Sequence, residues 1–300
     1  MRILFISANR IGDAVITTNV LDHLIRTHPE ARITVVCGGV AAGVFARMPN
    51  RERTIILDKR RYDLHWLALW RQVVGTRWDL VVDFRRSLTS YFLWARKRAL
   101  KPRHSIGRKH EQFAAALGIS PAPLPVVWVN DADRARADAL LPADRPVIGF
   151  GPTANWPPKA WPAAHFAALF RSLTAERLPG AVAAVFAGPG ETERAMAAPL
   201  LALLPEAIDL RGKLSLPEAA ACLQRCALYV GNDSGLMHLA AAAGVPTVGL
   251  CATTRDRAAE MAPAGRYADW ALGESDAMAD LSVETALATA LRLMKDAATP

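Results

Sequence analysis

Residues 228–250, LYVGNDSGLMHLAAAAGVPTVGL, carry the most concentrated set of side chains suited to binding chemistry. Asn232, Asp233 and Ser234 are helix N-cap types, followed by Gly235 and an Ala/Leu-rich run without a breaker. Backbone N–H groups at the start of such a helix favour an anion, a phosphate above all. His238, four residues after Ser234, shares a helix face with it. The same residues equally suit a cap and a packed histidine, and spacing leaves both readings open. A second polar stretch, GPTANWPPKAW at 151–161, holds Thr153, Asn155 and one charge, Lys159. That lysine is either solvated or reaches a phosphate as a point charge. A third is Gly12-Asp13, where glycine permits a tight turn and the carboxylate can cap a helix.

The elements around these residues alternate between strand and helix. Strands are expected at 2–7, 32–37, 53–57 and 79–83, and helices at 14–27, 41–47, 64–74 and 90–99. On this reading Gly12 and Asp13 lie in the loop at the carboxyl end of the first strand. A proline-rich connector at 121–125 precedes a helix at 131–141 and a linker at 142–146. The alternation then restarts, with strands at 147–150, 181–187, 208–210, 227–230 and 247–250. Helices intervene at 163–177, 191–203, 215–226 and 236–243, and an amphipathic helix closes the chain at 283–295. Two such series predict an α/β protein of two doubly wound, Rossmann-like domains, 1–143 and 144–300, facing across a cleft. The last helix is free to pack back on the first domain.

The formal charge of +8 is unevenly spread: residues 1–150 hold 24 Lys and Arg against 13 Asp and Glu, while the rest hold 12 against 15. A basic first half suits a polyanion or an anionic membrane surface, and no nucleic-acid motif accompanies it. Arg60, Arg61, Arg85 and Arg86 are the candidates to touch such a partner. Four scattered cysteines among apolar neighbours read as reduced core thiols without metal spacing. No apolar run reaches the roughly 18–20 residues of a membrane span, and the N-terminus reads as a core strand, so a cytoplasmic protein is expected.

GNDSGLMHLAAAAGVPTVGL and ANRIGDAVITT together resemble the ADP-heptose:lipopolysaccharide heptosyltransferases, glycosyltransferase family 9. The resemblance implies a GT-B-like enzyme that moves a heptose from a nucleotide-sugar, such as ADP-heptose, to an anionic glycolipid at the inner face of the cytoplasmic membrane. It makes Asp13 the catalytic base, since attack by a sugar hydroxyl requires its proton to leave. It assigns the donor diphosphate to Asp233, Ser234, Gly235 and His238, with Gly12, Thr153 and Lys159 also in contact and Lys159 assisting catalysis. Glu191 (or Glu193) and Leu214 fall where the nucleoside would lie, although a solvated helix start also explains either glutamate. The basic residues named above would face the acceptor. Asp131-Ala132-Asp133 has the spacing of a metal-binding pair but sits away from any strand-end loop, so it is read as a helix start. Transfer is therefore expected to invert the anomeric centre in one displacement, without metal or cofactor. Rival readings are transfer to another surface polysaccharide, a nucleotide-sugar epimerase of the same plan, and a two-lobed sugar-binding protein.

Overall fold

Every strand among the described residues pairs in parallel, in two separate sheets. The computed structural model describes residues 1–59, 61–102, 106–156 and 159–298, and the chain divides into units of residues 1–128 and 129–300. In the first unit, β1 (Arg2–Ile6), β2 (Arg32–Cys37), β3 (Arg51–Ile56), β4 (Trp78–Asp83) and β5 (Ala95–Leu100) lie in the order β3-β2-β1-β4-β5. The helices are α1 (Ile11–Thr27), α2 (Leu64–Val73) and α3 (Lys109–Ala115). Central β1 reads Ile3-Leu4-Phe5-Ile6 with all four side chains at 0% exposure, the continuous apolar run of a strand covered on both faces. Each such side chain stabilises the unit by roughly 1.5–3 kcal/mol.

The structure corrects three expectations here, the first being that the helix expected at 41–47 is a 3-10 helix over Gly39–Phe45. Helix α1 begins at Ile11 rather than 14, which places Gly12 and Asp13 in its first turn. Residues 90–99, rich in helix-forming Arg, Lys and Ala, instead form a 3-10 turn (Leu88–Phe92) and strand β5. Pairing with the open edge of β4 satisfies the backbone of that strand and overrides the local propensity.

The second unit contains α4 (Asp131–Leu140), β6 (Val147–Gly151), α5 (Ala163–Glu176), β7 (Val182–Val185), α6 (Glu191–Leu203) and β8 (Ile208–Asp209). It continues with α7 (Leu216–Gln224), β9 (Leu228–Asn232), α8 (Gly235–Ala243), β10 (Thr247–Cys251), α9 (Arg255–Met261), β11 (Ala268–Leu272) and α10 (Val283–Ala298). The sheet order is β11-β10-β9-β6-β7-β8. Helices α4 and α7 pack together, and α10 packs on α5 and β11. At the start of α4, Asn130 and Asp133 form a reciprocal capping box, so Asp131-Ala132-Asp133 is a helix start. Neither α9 nor β11 was expected from the sequence, because the short runs RDRAAEM and ADWAL carry too little apolar periodicity to stand out.

Tyr229 of β9 is fully buried and its ring fills the space beside Gly149, Gly151 and Gly231. A methyl at Gly151 would collide with the Tyr229 hydroxyl, so glycine is required there by close approach. No hydrogen-bond partner for that hydroxyl is found among the described residues.

Candidate active site

Strand order reverses between β1 and β4 in the first sheet and between β6 and β9 in the second. In open parallel sheets the crevice beyond the carboxyl ends of two such strands is where ligands bind. Both crevices are lined by residues singled out from the sequence.

In the first unit, Asp13 occupies the first turn of α1, where the helix dipole favours a carboxylate. Its side chain is 27% exposed, and Oδ1 accepts a hydrogen bond from Lys109 Nζ at 2.9 Å. Lys109 opens α3, whose backbone is tied to α1 by Asn19 Nδ2 donating to the His110 carbonyl at 2.9 Å. Strand β4 ends in Asp83, which is completely buried. Its carboxylate accepts from Arg85 N at 2.9 Å, Ser87 N at 2.8 Å and Ser87 Oγ at 2.7 Å. Burial raises the Asp83 pKa above the ordinary carboxylate value, against the opposing pull of those bonds. The tight turn holds Arg86 at φ +54°, in the left-handed region. It also aims Arg85 across the crevice, where Nη1 donates to Asn9 Oδ1 at 3.0 Å and the guanidinium covers the Trp66 ring at 4.7 Å. Burial lowers the Arg85 pKa, with Asp83 and Asp63 opposing. Arg61 is exposed and stacks on Tyr62 at 4.9 Å. Arg60 lies outside the described residues.

In the second unit, Asn232 ends β9 with its amide buried against the loop that follows β6. Its Oδ1 accepts from Trp161 N at 3.0 Å and its Nδ2 donates to the Pro152 carbonyl at 2.8 Å. Trp161 is buried, and its indole N–H donates to the Leu281 carbonyl at 2.8 Å. The 152–162 segment is therefore pinned at both ends against the carboxyl end of β9. This pinning delivers Lys159 to Asp233, with Nζ 3.5 Å from Oδ2. Thr153 is buried in the same loop.

Ser234 is the N-cap of α8, yet its side chain makes no capping bond, and Oγ is enclosed without a partner among the described residues. The first-turn amides of α8, starting at Gly235, are thus left to an external acceptor. His238 is buried on the next turn. A cavity of about 290 Å³ opens beside this turn, lined by Trp156, Lys159, Asp233, Thr253 and Arg257 among others.

At the far side of β6, Glu191 is exposed at the start of α6. Glu193 folds back over Gly188, so that a methyl on that glycine would strike its carboxylate. Gly212, at φ +65°, lies against Pro189, which brings the loop bearing half-buried Leu214 to the same strand ends.

The sequence reading missed three contributors. Lys109 was one of the 24 basic residues of the first half, and its partner is 96 residues away. Asn232 was read as capping chemistry, whereas it ties both ends of the loop after β6 to the end of β9. Of the two glutamates left open by the sequence, Glu193 is the one that folds back over Gly188, a choice made by the helix phase. Arg257 sits on α9, a helix the sequence did not announce. The Asn-Asp-Ser triplet was the one available signal for Asn232, since buried asparagine amides commonly tie loops together.

Together the two crevices offer a carboxylate that can accept a proton and, separately, a cationic, amide-rich pocket for an anion. The profile of glycosyltransferase family 9 (heptosyltransferase) matches residues 80–290. Lipooligosaccharide heptosyltransferase 2 of Haemophilus influenzae is 27% identical over 85% of this chain and 84% of its own length. A family 9 glycosyltransferase from Veillonella parvula superposes with a TM-score of 0.82 at 21% identity, covering 98% of this chain and 97% of its own. ADP-heptose lps heptosyltransferase II of E. coli does so with a TM-score of 0.77 at 22% identity, covering 99% of both chains. With a profile that runs from β4 to α10, the chain belongs to glycosyltransferase family 9, the heptosyltransferases, and is a glycosyltransferase of GT-B-like α/β fold.

Proposed function

We propose that the protein transfers a heptose, with inversion, from ADP-heptose to a lipopolysaccharide core-type acceptor at the inner face of the cytoplasmic membrane. The observation that carries the donor half is the meeting of Lys159, Asp233 and the open first turn of α8 at the β6/β9 switch point. The diphosphate accepts from the α8 amides and Ser234 Oγ, and Lys159 exchanges Asp233 for a phosphate oxygen. His238 lines the next turn. Glu193, with Glu191 outside it, takes the ribose hydroxyls, and Leu214 covers the base.

On the acceptor half, Asp13 removes the proton of the attacking hydroxyl while Lys109 holds its carboxylate in place. Gly12 keeps the backbone low at that point. Arg61, Arg85 and Arg86, with Arg60 before them, meet the negative charges of the acceptor. As the glycosidic bond to the donor breaks, negative charge builds on the leaving diphosphate. Amides and a lysine already aimed there stabilise that charge without reorganising, so the reading includes no divalent ion. The relatives' names, which include lipooligosaccharide and ADP-heptose lps heptosyltransferases, support the choice of donor and acceptor.

The test is a thermal-shift panel of ADP-, UDP- and GDP-sugars, followed by transfer assays with a heptose-deficient core saccharide in the presence of EDTA. ADP-heptose is expected to raise the melting temperature most, since a ligand stabilises in proportion to its affinity. Lys159→Ala should weaken donor binding by about 10- to 100-fold, the worth of one charged hydrogen bond of roughly 1.5–3 kcal/mol. Formation of an epimer from the nucleotide-sugar without acceptor would replace this reading with the isomerase. Donor binding without transfer to any glycan would replace it with a sugar-binding protein.

A further inference from the structure

Seven of the fourteen large apolar side chains exposed among the described residues lie between 62 and 94. Isolated exposed apolar residues need no explanation, whereas a cluster marks an interaction surface. The densest part is the 3-10 turn Leu88–Phe92 with the residues just after it: Leu88 is 75%, Tyr91 56%, Phe92 69% and Trp94 64% exposed. These side chains stand on a braced scaffold. Leu93 is buried between them, Trp70 Nε1 donates to the Phe92 carbonyl at 3.2 Å, and Arg98 Nε donates to the Ser90 carbonyl at 2.9 Å.

A shallow hollow of about 530 Å³ adjoins the turn, lined by Arg77, Arg96 and Arg98 with Asp79 and Trp94. The Arg77 guanidinium lies over the Trp94 ring at 5.4 Å. Asp79 is engaged in accepting from the Arg2 backbone N–H at 2.7 Å. The hollow sits beside edge strand β5, away from the β1/β4 crevice, and neither Asp13 nor Lys109 lines it.

We propose that this face docks on an anionic phospholipid bilayer. Tyr91, Phe92, Trp94 and Leu88 enter the interfacial layer, while Arg77 and Arg96 meet lipid phosphates. Aromatic rings beside arginines are the composition that suits the headgroup level of a membrane. Residues 1–128 carry 21 Lys and Arg against 9 Asp and Glu, which complements a negative leaflet. A second copy of the chain fits less well, because a two-fold contact through this patch would set arginines against arginines. The proposal rests on the membrane-side reading given above and names the surface that would carry it.

The full chain is mixed with vesicles of phosphatidylglycerol and phosphatidylcholine, or of phosphatidylcholine alone, and sedimented. Partition onto the anionic vesicles should exceed that onto neutral ones by about tenfold or more and fall as salt rises. Tyr91→Ser/Phe92→Ser/Trp94→Ser and, separately, Arg77→Glu/Arg96→Glu should each lower it by about tenfold. Both variants should keep the wild-type melting temperature and the wild-type rate with a soluble, lipid-free acceptor. Equal binding to neutral vesicles, or wild-type partition in either variant, overturns the proposal. So does a raised KM for the soluble saccharide in both variants, which would make the face an acceptor site. A dimer dissociated by the same substitutions, with vesicle binding unchanged, would make it a contact between copies. The vesicles hold neither donor nor acceptor, so docking without detectable transfer rejects the transferase reading alone, and transfer without docking rejects this one alone.

Discussion

Lys109 Nζ lies 2.9 Å from Asp13 Oδ1, joining the first turns of α3 and α1 across 96 residues of sequence. The pair is partly exposed, so its contribution to stability is small, within about 1 kcal/mol. Its consequence is positional, because the lysine holds the carboxylate through one oxygen, Oδ1, while the side chain stays partly exposed. Asp13→Asn should lower kcat by roughly 100- to 10,000-fold, the range of a lost general base, with donor Kd unchanged by calorimetry. Lys109→Met should lower kcat less, with the melting temperature intact. A Lys109→Met enzyme of full activity would remove the positioning role.

The Asn232 amide holds both ends of the loop after β6 to the end of β9. Asn232→Leu strands the Trp161 N–H and the Pro152 carbonyl, each costing about 1–3 kcal/mol when buried without a partner. The melting temperature should fall by several degrees. Donor affinity should weaken as well, because Lys159 is delivered by the same loop. An unchanged Kd in a destabilised protein would show that the loop keeps its course without the bridge.

Gly151 and Tyr229 form a steric pair. Gly151→Ala should destabilise by about 1–3 kcal/mol through overpacking against the phenol. Tyr229→Phe alone should be neutral or stabilising in urea denaturation, since its hydroxyl lacks a partner among the described residues. The double variant should recover part of the loss, and simple additivity of the two changes would refute the contact.

His110, next to Lys109, is 5% exposed, and burial pulls its pKa below the ordinary value of 6.5. The folded protein therefore binds fewer protons than the unfolded chain as pH falls through 6.5. Stability is present above that value and is lost below it, until the folded ring protonates in turn. Each pKa unit of difference is worth about 1.4 kcal/mol. His110→Leu should flatten this part of the stability–pH curve measured by denaturation between about pH 5 and 8. A slope identical to that of the parent protein would place the proton elsewhere.

Local pattern was enough to read two parallel α/β series and the Asn-Asp-Ser start of α8. These depend on short-range physics: apolar runs for doubly covered strands and cap residues for helix starts. Residues 90–99 show where that physics stops. Their Arg, Lys and Ala favour a helix, and the free edge of β4 made them a strand. The Lys109–Asp13 contact, the Asn232 bridge, the inward turn of Glu193 and the arginine hollow beside Trp94 were likewise invisible in one dimension. Each joins chain segments through side-chain direction and packing, and a sequence records neither until the sheets have brought those segments together.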